Sequence, residues 1–483
     1  MTTTRPHGEA GGARRTAECE YETRETYMSS LDTRSSTGGR RSPRAWLGAV
    51  AALAVVLTVG ACEDPLDVEN PNNLVEEDVA TPTAVPATVN GALATTTEML
   101  GEVNAIYATA SDEVRWIGSR DAWNSLSQGN LDDPTNEFSD ATFPTVGTAR
   151  YMVDRAVRLA EQFDAEGELG DRTNLARAYL YAAIAYTTIA DAYDDFVLPE
   201  EPTEAVPPVG EENMSQLYQQ AASFLGSGLS VARDVGDTEL ETRILAMRAR
   251  VHHAMAMWSK LNPGGSPPAD PLVSSADADA DAQAVLSEVG TSADWKYQLT
   301  FSSSTVASNV AFQINQRGEL QFGPALVQAD PEDLTDIEAI VIEDPIDEIV
   351  DPVASATINS FTTADEYASH TLTSAREMHL ILAESALAQG DDGGSGEFAS
   401  HVNAVRSMDG LSDYTGPGQI DPVTLLEHER QVNLLLQVRR LSDMYRFGET
   451  SSDWLQQSRA MTEPGTFFPI AITEIRSNPN VGG

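Results

Sequence analysis

The chain is poor in cysteine, in lysine and in positive charge altogether. Its 483 residues include two cysteines and two lysines, and 30 Lys+Arg stand against 74 Asp+Glu, a formal net charge of −44. A protein that binds nucleic acid independently of sequence needs clustered basic side chains to displace the counterions of the phosphates, so this class is excluded. A polybasic patch for anionic lipid is excluded for the same reason. The acidic excess is typical of a solvated surface that keeps a globular protein soluble.

The sequence also lacks the motifs of common catalytic and metal sites. No GxSxG, HExxH, P-loop, GxGxxG or CxxC pattern occurs. Asp277, Asp279, Asp281 and Glu288 have the spacing of calcium-loop ligands, but Ala282 stands where that loop requires glycine. We interpret this run as the acidic first turn of a helix. We therefore predict no catalytic residue, no metal and no cofactor.

One long apolar run is present, at residues 45–61, after three arginines between positions 40 and 44. A basic segment, a short apolar core and small residues before a cleavage point are typical of a secretory signal. The run is shorter than the roughly 20 residues of a spanning helix. It ends in Val-Gly-Ala-Cys at 59–62, which resembles the lipobox of bacterial lipoproteins and implies a lipidated Cys62. The alternatives are an ordinary signal with an incidental cysteine, or an uncut membrane anchor.

These features predict the organisation of the N-terminal region. Residues 1–61 would be a lipoprotein signal peptide, with Met28 as a plausible true start. Cys19 lies in the removed segment, so the mature chain could form no internal disulfide. Residues 62–88, which are polar and rich in Asn and Pro, would form an extended tether.

The rest of the chain, 89–483, is predicted to be a single, mainly α-helical domain. Its helical core covers 146–261 and 374–447, and 262–373 would be an irregular, loop-rich insert with minor β structure. The strongest pattern, Asn174–Tyr193, alternates Ala with Tyr, as tetratricopeptide helices do. The other predicted helices are Val146–Phe163, Met214–Val235, Glu239–Leu261, Ala375–Gln389, Phe398–Met408 and Pro422–Phe447. Asp421 would cap the last of these and Gly448 would end it.

Four segments, in order, resemble the SusD/RagB family of nutrient-binding lipoproteins. They are LDVENPN at 66–72 after Cys62; RARV at 248–251; EMHLILAESALAQGD at 377–391 with VNAVRSMDGL at 402–411; and ER at 429–430 with RRLSDMYRFG at 439–448 and FPIAITEIRSNPNV at 468–481. The sequence departs from the family pattern at Asn433, Gln437 and Val438.

The resemblance implies a SusD-like fold with a tetratricopeptide-like core, and a lipid-anchored protein on the outer membrane, facing the cell surface. Such a protein captures a nutrient, an oligosaccharide first and a peptide second, for a SusC-like TonB-dependent β-barrel transporter, without catalysis. One alternative is a tetratricopeptide scaffold lipoprotein for outer-membrane assembly, which would not explain the segments at 403–406 and 468–481. The other is a lipid-anchored glycosidase, although with 74 acids a pair of neighbouring carboxylates has little specificity.

Aromatic side chains are the candidate ligand contacts, because flat apolar rings match sugar faces or peptide side chains. Segment 111–147 has a poor helical pattern and is rich in Gly, Asn and Asp. For each ring the alternative is a place in the core. The candidates are Trp116, Trp123, Phe138 and Phe143, with Trp295 and Tyr297 in a second place; we expect Trp116 and Trp123 to line the ligand face.

Four charged residues near the C-terminus form the candidate structural motif. Glu429, Arg430, Arg440 and Asp443 fall on the predicted helix Pro422–Phe447, where Arg440 and Asp443 are i,i+3 neighbours and are expected to pair. The resemblance suggests that these charges join the terminal helices to the core.

Overall fold

The computed structural model describes residues 80–201 and 204–482. The predicted signal peptide, Cys62 and the tether up to residue 79 lie outside the described residues. The described residues belong to one compact unit, Leu74–Gly483. Within them, no helix has the combined length and apolar character needed to span a lipid bilayer.

Helices make up most of this unit. They are α1 (Val85–Ala110), α2 (Asp121–Ser127), α3 (Glu137–Glu166), α4 (Thr173–Ala192), α5 (Ser215–Val235), α6 (Thr238–Leu261), α7 (Ala276–Val289), α8 (Asn309–Phe312), α9 (Pro352–Thr362), α10 (Ala375–Ala388), α11 (Glu397–Met408), α12 (Pro422–Asn433), α13 (Arg440–Phe447), α14 (Arg459–Thr462) and α15 (Ile472–Ser477). Short 3₁₀ turns at Pro82–Ala84 and Glu211–Asn213 and a π-turn at Gln313–Arg317 complete the set.

Six short strands form three separate two-stranded antiparallel sheets. The strands are β1 (Val114–Trp116), β2 (Lys296–Leu299), β3 (Leu320–Phe322), β4 (Val327–Ala329), β5 (Ile337–Ile340) and β6 (His370–Ser374). They pair as β1–β3, β2–β6 and β4–β5. The predicted fold class, mainly helical with minor β structure, is therefore confirmed.

Neighbouring helices in the sequence are neighbours in space. Helix α4 packs between α3 and α5, α5 against α6, α6 against α7, and α10 against α7 and α11. All of α4 except Thr173 and Arg177 is buried, because alanine allows neighbouring helices to approach closely. One close approach is at Gly228 of α5, where an added Cβ atom would lie 3.2 Å from Tyr179 Cβ of α4. These helices form the stacked, tetratricopeptide-like core.

Two helices begin earlier than the sequence predicted: α1 begins within the segment 62–88 predicted to be a tether, and α3 begins before the predicted helix Val146–Phe163. Helix α1 starts at Val85, with Pro86 in its first turn. Proline is tolerated there because the amides of the first turn have no hydrogen-bond acceptor within the helix. Helix α3 starts at Glu137, because the Asn136 side chain accepts from the amides of Phe138 and Ser139. Segment 111–147, predicted to be poorly helical, thus contains α2 and the first third of α3.

The predicted helix Pro422–Phe447 is wrong in one respect, since it is two helices. Asp421 caps α12 and Gly448, with φ of 74°, ends α13, as predicted. Between the two helices, Leu436 and Val438 have positive φ values of 58° and 60°. The turn is held from outside, because the Leu436 amide donates to Glu113 Oε1 at 2.6 Å. A distant contact, rather than a local signal, breaks the helix.

The expected pair between Arg440 and Asp443 is also wrong. Arg440 is the first residue of α13, and its guanidinium binds both oxygens of Asp112 at 2.8 Å and also contacts Glu449. Asp443 instead accepts from Arg430 and from Arg446, each at 2.9 Å.

Arg430 and Asp443 belong to a buried network that joins α12 and α13 to the core. Glu384 of α10 accepts from Arg446, lies 3.0 Å from His253 of α6, and lies 3.5 Å from Arg430. None of these side chains is exposed by more than 6%. Removing one partner of a buried pair typically costs about 3–5 kcal/mol, because the other charge is left unpaired. The network therefore serves stability.

Candidate functional site

Two of the predicted ligand contacts, Trp123 and Phe138, stack on each other. Trp123 of α2 is completely buried, and its ring lies 3.8 Å from that of Phe138 at an angle of 16°. The Arg120 guanidinium lies over the Phe138 ring, 5.1 Å from its centroid. Trp123 has no exposed surface with which to touch a ligand, contrary to the expectation that it lines the ligand face. For Trp123 the structure favours a place in the core.

The other four aromatic candidates are spread over the molecule. Trp116 on β1 and Trp295 are half-buried and pack against the core. Phe143 borders a pocket on α3. Tyr297 lines a small pocket of about 100 Å³, where the Arg243 guanidinium lies 5.0 Å from its ring. The six predicted aromatic residues do not form one site.

A large cleft with several polar side chains lies in the loop-rich insert; we name it the insert cleft. It has a volume of about 560 Å³ and lies between the π-turn, strand β5 and helix α9. Its lining residues are Ile314, Asn315, Thr335, Asp336, Ile337, Glu338, Ala339, Ile340, Ile358, Asn359 and Thr362. Sequence analysis missed these residues, because they come from three segments that share no motif.

The chemistry of the insert cleft suits a neutral polar ligand. Both amide hydrogens of Asn315 are used, by the carbonyls of Phe361 at 2.8 Å and Asp365 at 2.5 Å, so only its amide oxygen remains for a ligand. The exposed Asn359 amide makes no hydrogen bond to described residues, so it can both donate and accept. Two carboxylates and no basic residue line the cleft, which disfavours an anionic ligand.

A second groove follows the helical core. It has a volume of about 580 Å³ and lies between α3, α4 and α5. Buried Arg150 borders it and also borders a smaller pocket of about 310 Å³ that contains Phe143, Tyr151 and Phe196. Arg150 is itself held by Asp154 Oδ2 at 2.9 Å. This groove is charged along its length and aromatic at one end.

Two acidic clusters could suggest a cation, and both are otherwise engaged. The calcium-like run is helical in α7, and Asp281 binds Arg248 through both carboxylate oxygens, at 2.6 and 2.7 Å. Asp344, Asp351 and His428 have ligand atoms within 4.8 Å of one another. However, both Asp344 oxygens accept from Arg406, at 2.7 and 3.0 Å. The positive guanidinium takes the place that a cation would need.

Some carboxyl groups have a raised pKa, as catalytic acids do, but they lie outside the insert cleft. Burial raises the pKa of Glu102, Asp194 and Glu427 to about 7 and the pKa of Glu113 to about 8. None of the four lines the insert cleft.

Comparison with known proteins identifies the fold. No protein-family model matches the sequence, and no curated protein matches it. The structure is similar to B. fragilis NanU, with a TM-score of 0.58 and 11% identity over 83% of this chain and 97% of NanU. It is similar to a SusD homolog from Bacteroides thetaiotaomicron, with a TM-score of 0.56 and 14% identity over 84% and 98% of the two chains. A SusD-like carbohydrate-binding protein from Bacteroides vulgatus aligns with a TM-score of 0.52 and 12% identity over 83% and 97%. The predicted SusD-like fold is confirmed.

Proposed function

We propose that this chain, which has the SusD fold, is a lipid-anchored protein of the outer membrane that captures a nutrient for a SusC-like TonB-dependent transporter. One observation carries the proposal: the fold matches SusD structures over 83–84% of this chain and 97–98% of theirs. The lipobox-like segment ending at Cys62 supports the anchor.

An oligosaccharide is the proposed ligand, and the insert cleft is its proposed site. One of the similar structures is described as a carbohydrate-binding protein. Amide, hydroxyl and carboxylate groups around isoleucines suit a ligand that presents many neutral hydroxyls and apolar ring faces. The cleft lacks aromatic side chains, so hydrogen bonds would supply most of its specificity. A peptide is the second candidate, because the groove between α3, α4 and α5 combines charges with an aromatic end.

Calorimetry on the purified mature protein tests the ligand and its place together. A panel of neutral oligosaccharides, acidic oligosaccharides and peptides would be titrated into wild type and two alanine variants. Asn359→Ala removes an exposed amide of the insert cleft, and Gln220→Ala is the matched change in the helical groove. We expect a neutral oligosaccharide to bind wild type and Gln220→Ala equally, and Asn359→Ala about tenfold more weakly, which corresponds to about 1.4 kcal/mol. The reverse pattern, with a peptide, would place the ligand in the helical groove.

The remaining parts of the proposal need experiments on cells. Tagged lipoprotein from gently solubilised membranes should retain a TonB-dependent barrel, whereas a scaffold for membrane assembly would retain assembly proteins. Surface proteolysis of intact cells should trim an outward-facing protein. Incubation with the bound oligosaccharide should release no new reducing ends; their release would instead establish a glycosidase.

A further inference from the structure

Large aliphatic side chains are exposed in one part of the chain. Among the described residues, five large aliphatic side chains are exposed, and four of these belong to residues 334–350. They are Leu334 at 47%, Val341 at 38%, Ile349 at 51% and Val350 at 46%; the fifth is Val235 at 39%, at the end of α5. Single exposed aliphatic residues are ordinary, but a group of them marks an interaction surface.

Three of the four belong to a tight hairpin, which we name the acidic hairpin, residues 341–351. Glu343 pairs with Val350, and the Asp344 amide donates to the Ile349 carbonyl at 2.8 Å. Side chains alternate between the two faces of such a hairpin. The buried inner face carries Ile342, Asp344 and Asp351, and the outer face carries Val341, Glu343 and Val350. Ile349 opposes Asp344 but lies in the bend before Val350, outside this alternation, and its side chain is exposed beside the outer face.

The hairpin is fixed to the body of the protein. Asp344 accepts from the amides of Ile346 and Asp347, at 3.1 and 2.7 Å, in addition to the two bonds from Arg406. Asp347 in turn accepts from the Ser412 amide at 2.8 Å. The outer face is therefore held in place with its aliphatic side chains directed to solvent, and the described chain has nothing that covers them.

The charge around this outer face indicates which class of binding partner can dock there. Residues 330–351 contain ten acidic and no basic residues: Asp330, Glu332, Asp333, Asp336, Glu338, Glu343, Asp344, Asp347, Glu348 and Asp351. Anionic lipid would be repelled. A second copy of a chain with net charge −44 would be repelled too. A glycan is disfavoured because the outer face presents aliphatic side chains and carboxylates but no amide or hydroxyl side chain.

We propose that the acidic hairpin is a docking surface for a protein that presents lysine or arginine around an apolar recess. Val341, Ile349 and Val350 would enter the recess, and Glu343 and Glu348 would meet the basic rim. Naming that protein as the β-barrel transporter rests on the proposed function, whereas the surface itself rests on the hairpin.

Variants of the full-length lipoprotein test the docking surface. The double change Ile349→Ser/Val350→Ser makes the outer face polar, and Val235→Ser is the matched control at the other exposed aliphatic residue. Glu343→Lys/Glu348→Lys reverses two charges and tests the same face if the first variant folds poorly. Each C-terminally tagged protein would be recovered from gently solubilised membranes of its own cells at low and high salt, and proteins retained per mole would be identified and quantified.

We expect the stoichiometric partner of wild type and Val235→Ser to be retained about tenfold less by both hairpin variants, at unchanged melting temperature. High salt should weaken the wild-type complex and change the charge-reversed one little. If no identified partner of wild type is lost, the docking surface is overturned, even where a transporter co-purifies and the proposed function stands. If a partner is lost but is not a transporter, the docking surface stands and the proposed function fails.

Discussion

Arg406 donates a hydrogen bond to each carboxylate oxygen of Asp344, with Nη1 at 2.7 Å from Oδ2 and Nη2 at 3.0 Å from Oδ1. Neither side chain is exposed. The two residues are 62 positions apart, and the pair fastens the acidic hairpin to α11. Burial would raise the pKa of Asp344, but hydrogen bonds from Arg406 and from backbone amides lower it below its usual range. A second carboxylate, Glu429 Oε1, lies 2.9 Å from the same guanidinium.

Arg406→Ala should destabilise the fold strongly. It leaves Asp344 and Glu429 without their cation, and loss of one partner of a buried pair costs about 3–5 kcal/mol. Arg233→Ala, which removes the exposed pair with Glu241, should cost under about 1 kcal/mol. Denaturant unfolding measures both. Equal effects of the two changes would show that the hairpin is not anchored by this pair.

Trp123→Ala should lower stability and leave binding intact. Removing a completely buried ring leaves a cavity and costs about 3–5 kcal/mol. Trp116→Ala should reduce the free energy of unfolding by less, because Trp116 is only half-buried. Thermal unfolding gives the stability, and calorimetry well below the melting temperature gives the affinity for the oligosaccharide. A loss of affinity in Trp123→Ala at unchanged stability would instead indicate that this residue contacts the ligand.

Two buried histidines should contribute less to stability as the pH drops below about 6.5, the usual pKa of histidine in an unfolded chain. Burial lowers the pKa of His370 to about 3 and the pKa of His379 to about 4. At these two residues the unfolded chain binds protons that the folded chain excludes, so their contribution to the free energy of unfolding is largest above pH 6.5 and decreases toward pH 4. The carboxyl groups with raised pKa contribute in the opposite direction, because there the folded chain binds the additional protons.

His379→Gln separates this effect from that of the carboxyl groups. The His379 side chain lies 2.9 Å from both His401 Nδ1 and the Thr291 carbonyl. As the pH falls from 6.5 to 5, the melting temperature of wild type should decrease relative to that of the variant. Identical slopes would mean that His379 does not contribute to the pH dependence.

Asp336→Asn/Glu338→Gln should change the charge preference of the insert cleft. The amides keep hydrogen-bonding capacity, so affinity for a neutral oligosaccharide should stay within about threefold, which corresponds to about 0.7 kcal/mol. An oligosaccharide bearing carboxylates should gain several-fold, because two like charges are removed. Calorimetry with a neutral and an acidic ligand measures both. Unchanged affinity for the acidic ligand would place binding outside this cleft.

The elements that the sequence predicted well carry their signals locally. The alternation of Ala with Tyr in α4, the cap at Asp421 and the stop at Gly448 each depend on residues within a few positions. Helix α9 was missed although Asp351 caps it, because the surrounding acidic stretch was interpreted as loop.

The candidate site was predicted less well, and the reason is geometric. The insert cleft joins residues between Ile314 and Thr362 that have no common spacing. Among the aromatic candidates, residue type could not separate a buried ring such as Trp123 from a half-exposed one such as Trp116, because burial depends on what packs around each.

The sequence by itself determined the acidic charge, the lipobox-like segment and most of the helices, since each depends on composition or on neighbours along the chain. Only the tertiary structure decided where the charges pair and where helices break. Arg440 binds Asp112, 328 residues away, instead of Asp443 on its own helix, and Leu436 donates to Glu113 across 323 residues. Such pairings depend on which distant groups are buried together, because a buried charge or amide must find a partner wherever the fold brings one.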